Sequence, residues 1–209
     1  MSARRQAFTV VELMVVLALL VVLAGAAGLA LLQGNTTIAL QGGQAVLIQS
    51  LAFARTQAAL SGRNAALAVS HDPAQPDQSL RVLAVALRAP SGASWIRVSA
   101  WIPLPAGVAL LPPTSPSGAW VEPESNWTGL LSSALSTEPA LVGAEPALLL
   151  EFTPRGTVVG GGGDLVLAPC RRQSPGSASP LVFSEPEAVR GVAVSAYGVA
   201  EWIHERAGF

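Results

Sequence analysis

Residues that could do chemistry are few in this chain, and the one whose setting demands an explanation is Glu12. It is the single charge in the apolar run Phe8 to Leu32, FTVVELMVVLALLVVLAGAAGLALL. A carboxylate held in lipid costs several kcal/mol and wants a cation beside it. Three sources would serve: another copy, another protein, or a new amine made by cutting the chain nearby. The other reactive types do not form sets. His71 and His204 are far apart, each beside an acid, and neither has metal-ligand spacing. Both read as surface residues. Cys170 is the only cysteine, which excludes an internal disulfide and reads as a small semi-buried residue beside a loop. Glu185 and Glu187 flank Pro186, a loop pattern rather than an acid–base pair. The run Gly160 to Gly163 has strands expected on both sides, so it reads as a flexible hairpin loop and not as a phosphate cradle. No lysine occurs anywhere, which removes the phosphate-loop lysine and Schiff-base chemistry. No catalytic constellation, metal site or cofactor is expected, and an enzyme is the disfavoured class.

The elements that hold Glu12 come next. A helix over Phe8 to Leu32 would be roughly 37 Å long at ~1.5 Å per residue. A bilayer's hydrocarbon core is about 30 Å thick, and a lone span in it must be helical. Before the run lies MSARRQA, with Arg4, Arg5 and no acid. That bias keeps the N-terminus cytoplasmic and sends the rest of the chain across. Ala24 and Gly28 make a small-xxx-small pair that would let sister helices approach closely.

The string Ala7-Phe8-Thr9-Val10-Val11-Glu12-Leu13, behind its short basic leader, resembles the class III leader junction of type IV pilins and type II secretion pseudopilins. The resemblance implies that prepilin peptidase cuts between Ala7 and Phe8, that the new amine at Phe8 is N-methylated, and that Glu12 directs assembly. The family usually carries Gly where this chain has Ala7, a small residue that keeps the peptide bond accessible. Two other readings share the N-terminal pattern. A secretory signal peptide with Ala24-Gly25-Ala26 as its cleavage site would leave Ala27 at the mature end. A plain signal anchor would keep Met1 or Ser2 and leave Glu12 unexplained.

The 209-residue chain has 12 basic and 13 acidic residues, scattered rather than in runs, so no strong field draws in nucleic acid. Beyond the span, the helix is expected to continue to Ser61-Gly62, with weak points at Gly34-Asn35 and Gly42-Gly43. Leu40, Leu47, Leu51, Ala54 and Ala58 form an inward stripe, with Gln44, Gln49, Arg55 and Gln57 off it. After Gly62 the period becomes that of strands. They are expected at 64–70, 80–88, 94–103, 108–111, 147–153, 164–168, 190–195 and 199–203, with brief pairing at 182–184. In 94–103, Trp95, Arg97, Ser99 and Trp101 share one side of a half-buried strand. Residues 112–146, rich in Pro, Ser and Gly, read as an insertion on the sheet, with a short helix at 127–135 and a surface suited to partner contacts. The organisation is a leader at 1–7, a transmembrane helix at 8–32, its amphipathic continuation at 33–62 and a β-rich periplasmic domain at 63–209. The fold class is α+β, a long N-terminal helix packed on antiparallel sheets.

A second resemblance covers most of this domain. Ala54-Arg55 on the helix, then Phe152-Thr153-Pro154-Arg155-Gly156, then Ser195-Ala196-Tyr197-Gly198 in the last hairpin are similar to the H-type pseudopilins of type II secretion and to the T-type minor pilins of type IV pili. The segment between Leu111 and Ala147 is unmatched. The resemblance implies a structural subunit in the bacterial inner membrane. Its partners would be other pseudopilins or pilins, prepilin peptidase, the inner-membrane assembly platform and lipid, with no nucleic acid. Alternatives are a minor pilin that adheres or takes up DNA, and a membrane-tethered enzyme or binding domain. The mixed tail Glu201-Trp202-Ile203-His204-Glu205-Arg206 speaks against DNA.

Overall fold

The computed structural model describes residues 10–72, 75, 77–92, 94–116, 120–122, 125–173 and 181–209, with side chains at all of these but 11, 12 and 22–35. The chain divides into two compact units, 1–37 and 38–209. Helix α1 (Val10–Ser61) begins in the first and ends in the second. Leu, Ala, Met and Val dominate its start and no proline interrupts it, so the helix has no missing backbone donor.

In the second unit one face of α1 lies against two sheets. Leu40, Leu47, Leu51, Ala54 and Ala58 are buried, the stripe that the spacing predicts. Gln44 departs from expectation: it is fully buried. It stands four residues after Leu40 and three before Leu47, so helical geometry puts it on the same stripe despite its polarity. Gly42 and Gly43, expected to weaken the helix, lie close against other parts of the domain. A Cβ on Gly43 would sit 3.1 Å from Leu167 and one on Gly42 3.3 Å from Pro105. Within Thr36–Ser61 an 18-residue stretch reaches a mean hydropathy of 1.2, enough in length and composition to cross a membrane. The buried stripe of Thr36–Ser61 against the sheets identifies it instead as the core helix of this unit. The helix stops where Gly62 turns left-handed, at φ 64°.

The first sheet contains β1 (Ala65–Ser70), β2 (Val82–Arg88), β3 (Trp95–Arg97), β4 (Ile102–Pro103), β6 (Ala140–Val142) and β7 (Glu145–Phe152). Its order is β1-β7-β6-β3-β2-β4, and β1 also pairs with β2, so the sheet curls back on itself. All its pairings are antiparallel except the short β3–β6 contact at Trp95 and Val142. The curl gives β1 two buried faces. Leu67 and Val69 join the main core under the helix, while Ala66 and Ala68 join Ala86, Ala147, Val142 and Leu149 around Trp95. Small residues on that second face leave the room an indole needs.

Residues 94–103 do not form one strand. Val98 and Ser99 both donate their N–H to Val85 O, and Val85 N–H donates to Ser99 Oγ, a local bulge that separates β3 from β4. The indole side is the packed one. Trp95 is buried and Trp101 packs nearby, whereas Ile96 and Val98 are exposed.

The second sheet has the order β11-β10-β8-β5, with β9 beside β8, and every pairing is antiparallel. Its strands are β5 (Val108–Leu110), β8 (Gly163–Arg172), β9 (Leu181–Phe183), β10 (Arg190–Val194) and β11 (Ala200–Ile203). The run Gly160 to Gly163 does not close a hairpin between paired strands. It carries the chain from β7 in the first sheet to β8 in the second, with φ positive at all four positions. A Cβ on Gly162 would lie 2.2 Å from Val194 O, so only glycine passes.

The segment between β5 and β6 is not an outlying excursion, and no helix forms at 127–135. Gly129 takes φ 83°, and Trp127, Leu130 and Leu135 are buried in the main core. Trp120 and Trp127 both pack on Phe183. Its serines serve both sheets. Ser132 Oγ accepts from Val166 N–H and Ser133 Oγ from Asp164 N–H on β8, while Ser136 Oγ accepts from Leu149 N–H on β7. Strand donors that would otherwise lack a partner in the sheet are paired this way.

Candidate functional site

Two regions carry the functional reading. In the N-terminal one, Ala7 and Phe8 lie outside the described residues. Glu12 falls in α1, with its side chain outside them. Around it the described side chains, Val10 and Leu13 to Val21, are exposed on every face of the helix, from 46% at Val16 to 75% at Val10. A helix that is apolar all round is stable in water only when something covers it, either lipid or other apolar helices.

The second region lies in the globular unit, where the three segments singled out from the sequence meet. Thr153 to Gly156 forms a tight turn after β7, closed by Gly156 N–H to Thr153 O at 2.8 Å and by a 2.7 Å bond between the Thr153 and Thr157 hydroxyls. Ser195 to Gly198 forms the turn between β10 and β11, closed by Gly198 N–H to Ser195 O at 2.8 Å. Val158 N–H donates to Ala196 O at 2.9 Å and ties the two turns together. Arg55 reaches from α1 into their junction, where Nη1 donates to Gly198 O at 3.4 Å. Glycine is required twice. A Cβ on Gly156, at φ 80°, would lie 2.6 Å from Arg55 Nε. One on Gly198, at φ 71°, would lie 2.3 Å from Gly156 O and 3.2 Å from the Phe152 ring. The helix and both sheets are therefore joined at one corner by a guanidinium laid across two glycine turns.

Gln44 makes a second tie, which the sequence reading missed. Its Nε2 donates at 2.8 Å to both Gly191 O on β10 and Ile203 O on β11, while Oε1 has no partner. The stripe spacing was the available signal.

The remaining candidates do not converge. His71 is half-buried rather than a plain surface residue, and burial holds its pKa below the ordinary imidazole value against a weaker opposing pull from Asp72. Its Nδ1 is buried without a partner. His204 is exposed and stacks on Trp202, with ring centroids 6.1 Å apart. Cys170 lies within β8, and burial pushes its thiol up to about 11, so it is protonated at neutral pH. Glu187 pairs with Arg206, and Glu185 sits in a turn at φ 55°. Among the described residues no three His, Cys, Asp or Glu side chains group as metal ligands.

Comparison with known proteins locates the first region. Residues 2–28 match the prokaryotic N-terminal methylation motif. Two solved structures of the minor pseudopilin EpsH from the type II secretion system of Vibrio cholerae are similar to the chain. One is 15% identical, with 79% of this chain and 96% of that one covered and a TM-score of 0.41. The other is 19% identical, with 81% and 95% covered and a TM-score of 0.40. No curated protein matches the chain.

Proposed function

We propose that this chain is a minor pseudopilin, a non-enzymatic structural subunit of a type II secretion pseudopilus. Prepilin peptidase cuts between Ala7 and Phe8, and the new amine at Phe8 is N-methylated. The observation that carries the reading is the methylation motif at 2–28, which takes in the start of α1, where the described side chains, Val10 and Leu13 to Val21, are apolar and exposed on every face. Lipid of the inner membrane covers that helix before assembly, and the helices of other pseudopilins cover it afterwards. Exchange of one apolar surrounding for another costs little, so assembly and release are both feasible. The assembly platform of the inner membrane would drive the exchange. Glu12 supplies register: inside an apolar bundle it is stable only beside a cation, such as the amine at Phe8 of the adjoining subunit. The H-type assignment rests on Arg55, Thr153 to Gly156 and Ser195 to Gly198 occupying one corner.

Intact-mass measurement on the protein extracted from membranes tests the processing. The expected species begins at Phe8 and is heavier by one methyl group. A chain that begins at Met1 or Ser2 is a signal anchor, and one that begins at Ala27 is a cleaved secretory protein. Either overturns the proposal.

A further inference from the structure

We propose that the corner formed by Arg55, Arg155 and Tyr197 is a docking site for an acidic peptide segment of a partner protein. The inference stands on the globular unit alone and does not depend on how the N-terminus is processed.

Arg55 is exposed, yet its guanidinium is not free to wander, because it lies against Gly156 and Gly198 and donates to Gly198 O. That one long bond, at 3.4 Å, leaves most of its five N–H donors unused. Arg155, beside Gly156 in the same turn, is exposed as well. Arg88, Arg97, Arg171, Arg172 and Arg206 each pair with a carboxylate, but neither Arg55 nor Arg155 does so among the described residues. Glu151, in the strand that leads into the Arg155 turn, is already engaged by Arg88 and Asn64.

The surroundings are those of an interface. Tyr197 is 75% exposed, and Val199 and Val159 are each 49% exposed. Tyr197 and Val199 flank Gly198, whose carbonyl Arg55 touches, and Val159 follows Val158, which is bonded to Ala196 in the same turn as Tyr197. Arginine and tyrosine together are the residue types on which binding energy concentrates. A guanidinium already held in place loses little freedom when it forks onto a carboxylate, so the contact favours association. Two cations beside apolar side chains suit a carboxylate-bearing peptide better than a nucleic acid, whose backbone needs a longer basic track.

Tyr197 is the only tyrosine in the chain, so fluorotyrosine labels this corner and nowhere else. The experiment uses the full chain in detergent micelles and follows the fluorine resonance during titration with a short poly-glutamate peptide. A saturable shift that weakens with salt is expected. Poly-arginine should give none, and a single-stranded oligonucleotide should bind more weakly than poly-glutamate. Arg55→Gln and Arg155→Gln should each weaken binding, Arg55→Gln by roughly tenfold or more. Arg190→Gln, at the opposite end of β10 from the labelled turn, should change nothing. Arg155→Gln carries the test by itself if Arg55→Gln does not fold. No shift, tighter binding of the oligonucleotide, or equal binding by the Arg155 and Arg190 variants overturns the proposal.

Discussion

Replacing Gly198 and Gly143 by alanine, one at a time, separates backbone strain from close packing. The two glycines have nearly the same backbone, φ 71° and φ 69°. An added Cβ in this left-handed region costs about 1–2 kcal/mol at either site. Their surroundings differ. A Cβ on Gly143 meets nothing within 4 Å, while one on Gly198 would meet Gly156 O at 2.3 Å. That oxygen belongs to backbone, in a turn fixed by Thr153, Thr157 and Arg55, so it cannot swing away as a side-chain tip would. Overpacking of this kind adds about 1–3 kcal/mol. Gly143→Ala should therefore lose ~1–2 kcal/mol and Gly198→Ala ~2–5 kcal/mol. The assay is urea unfolding of the full chain in detergent, followed through the fluorescence of buried Trp95 and Trp127. Equal losses, or a larger loss at Gly143, would refute the view that the two turns and Arg55 form one fixed corner.

His71 should make stability pH-dependent. Its folded pKa is depressed by burial, so the unfolded chain binds the proton more readily. The stability it contributes is fully present above the unfolded value of about 6.5 and is lost as pH falls through the folded value. Urea midpoints measured on both sides of that window should fall less steeply for His71→Gln than for the parent chain, and identical slopes would remove His71 as the cause. Glu12→Ala should still be cut after Ala7 and should still insert in the membrane, but it should be missing from sheared filaments. Its recovery there at parental levels would show that the carboxylate does not set register.

Most strands other than 94–103 and β6, the inward stripe of α1 and its stop at Gly62 were legible because each is a local pattern: alternation, a helical period, a glycine where the chain must turn left-handed. The methylation motif at 2–28 was legible for a different reason: basic residues, Phe8, Glu12 and a long apolar run stand in one continuous stretch whose pattern needs no tertiary contact. Failures fell where partners distant in sequence decided the outcome. Gln44 was placed off the buried stripe by its polarity, yet carbonyls from β10 and β11 receive its amide. Residues 127–135 lost a helix because Trp127, Leu130 and Leu135 fill the main core while Ser132 and Ser133 between them bond β8 and Ser136, just beyond, bonds β7.

By itself the sequence determined that the first part of α1 is a long apolar run with Glu12 as its single charge, since the composition of one continuous stretch suffices for that. Only the tertiary structure decided that Arg55, Gly156 and Gly198, up to 143 residues apart, share one corner. Such a meeting is set by how two sheets close over a helix, and close approach across that distance leaves no period in the chain, only glycines whose reason appears once the neighbour is in place.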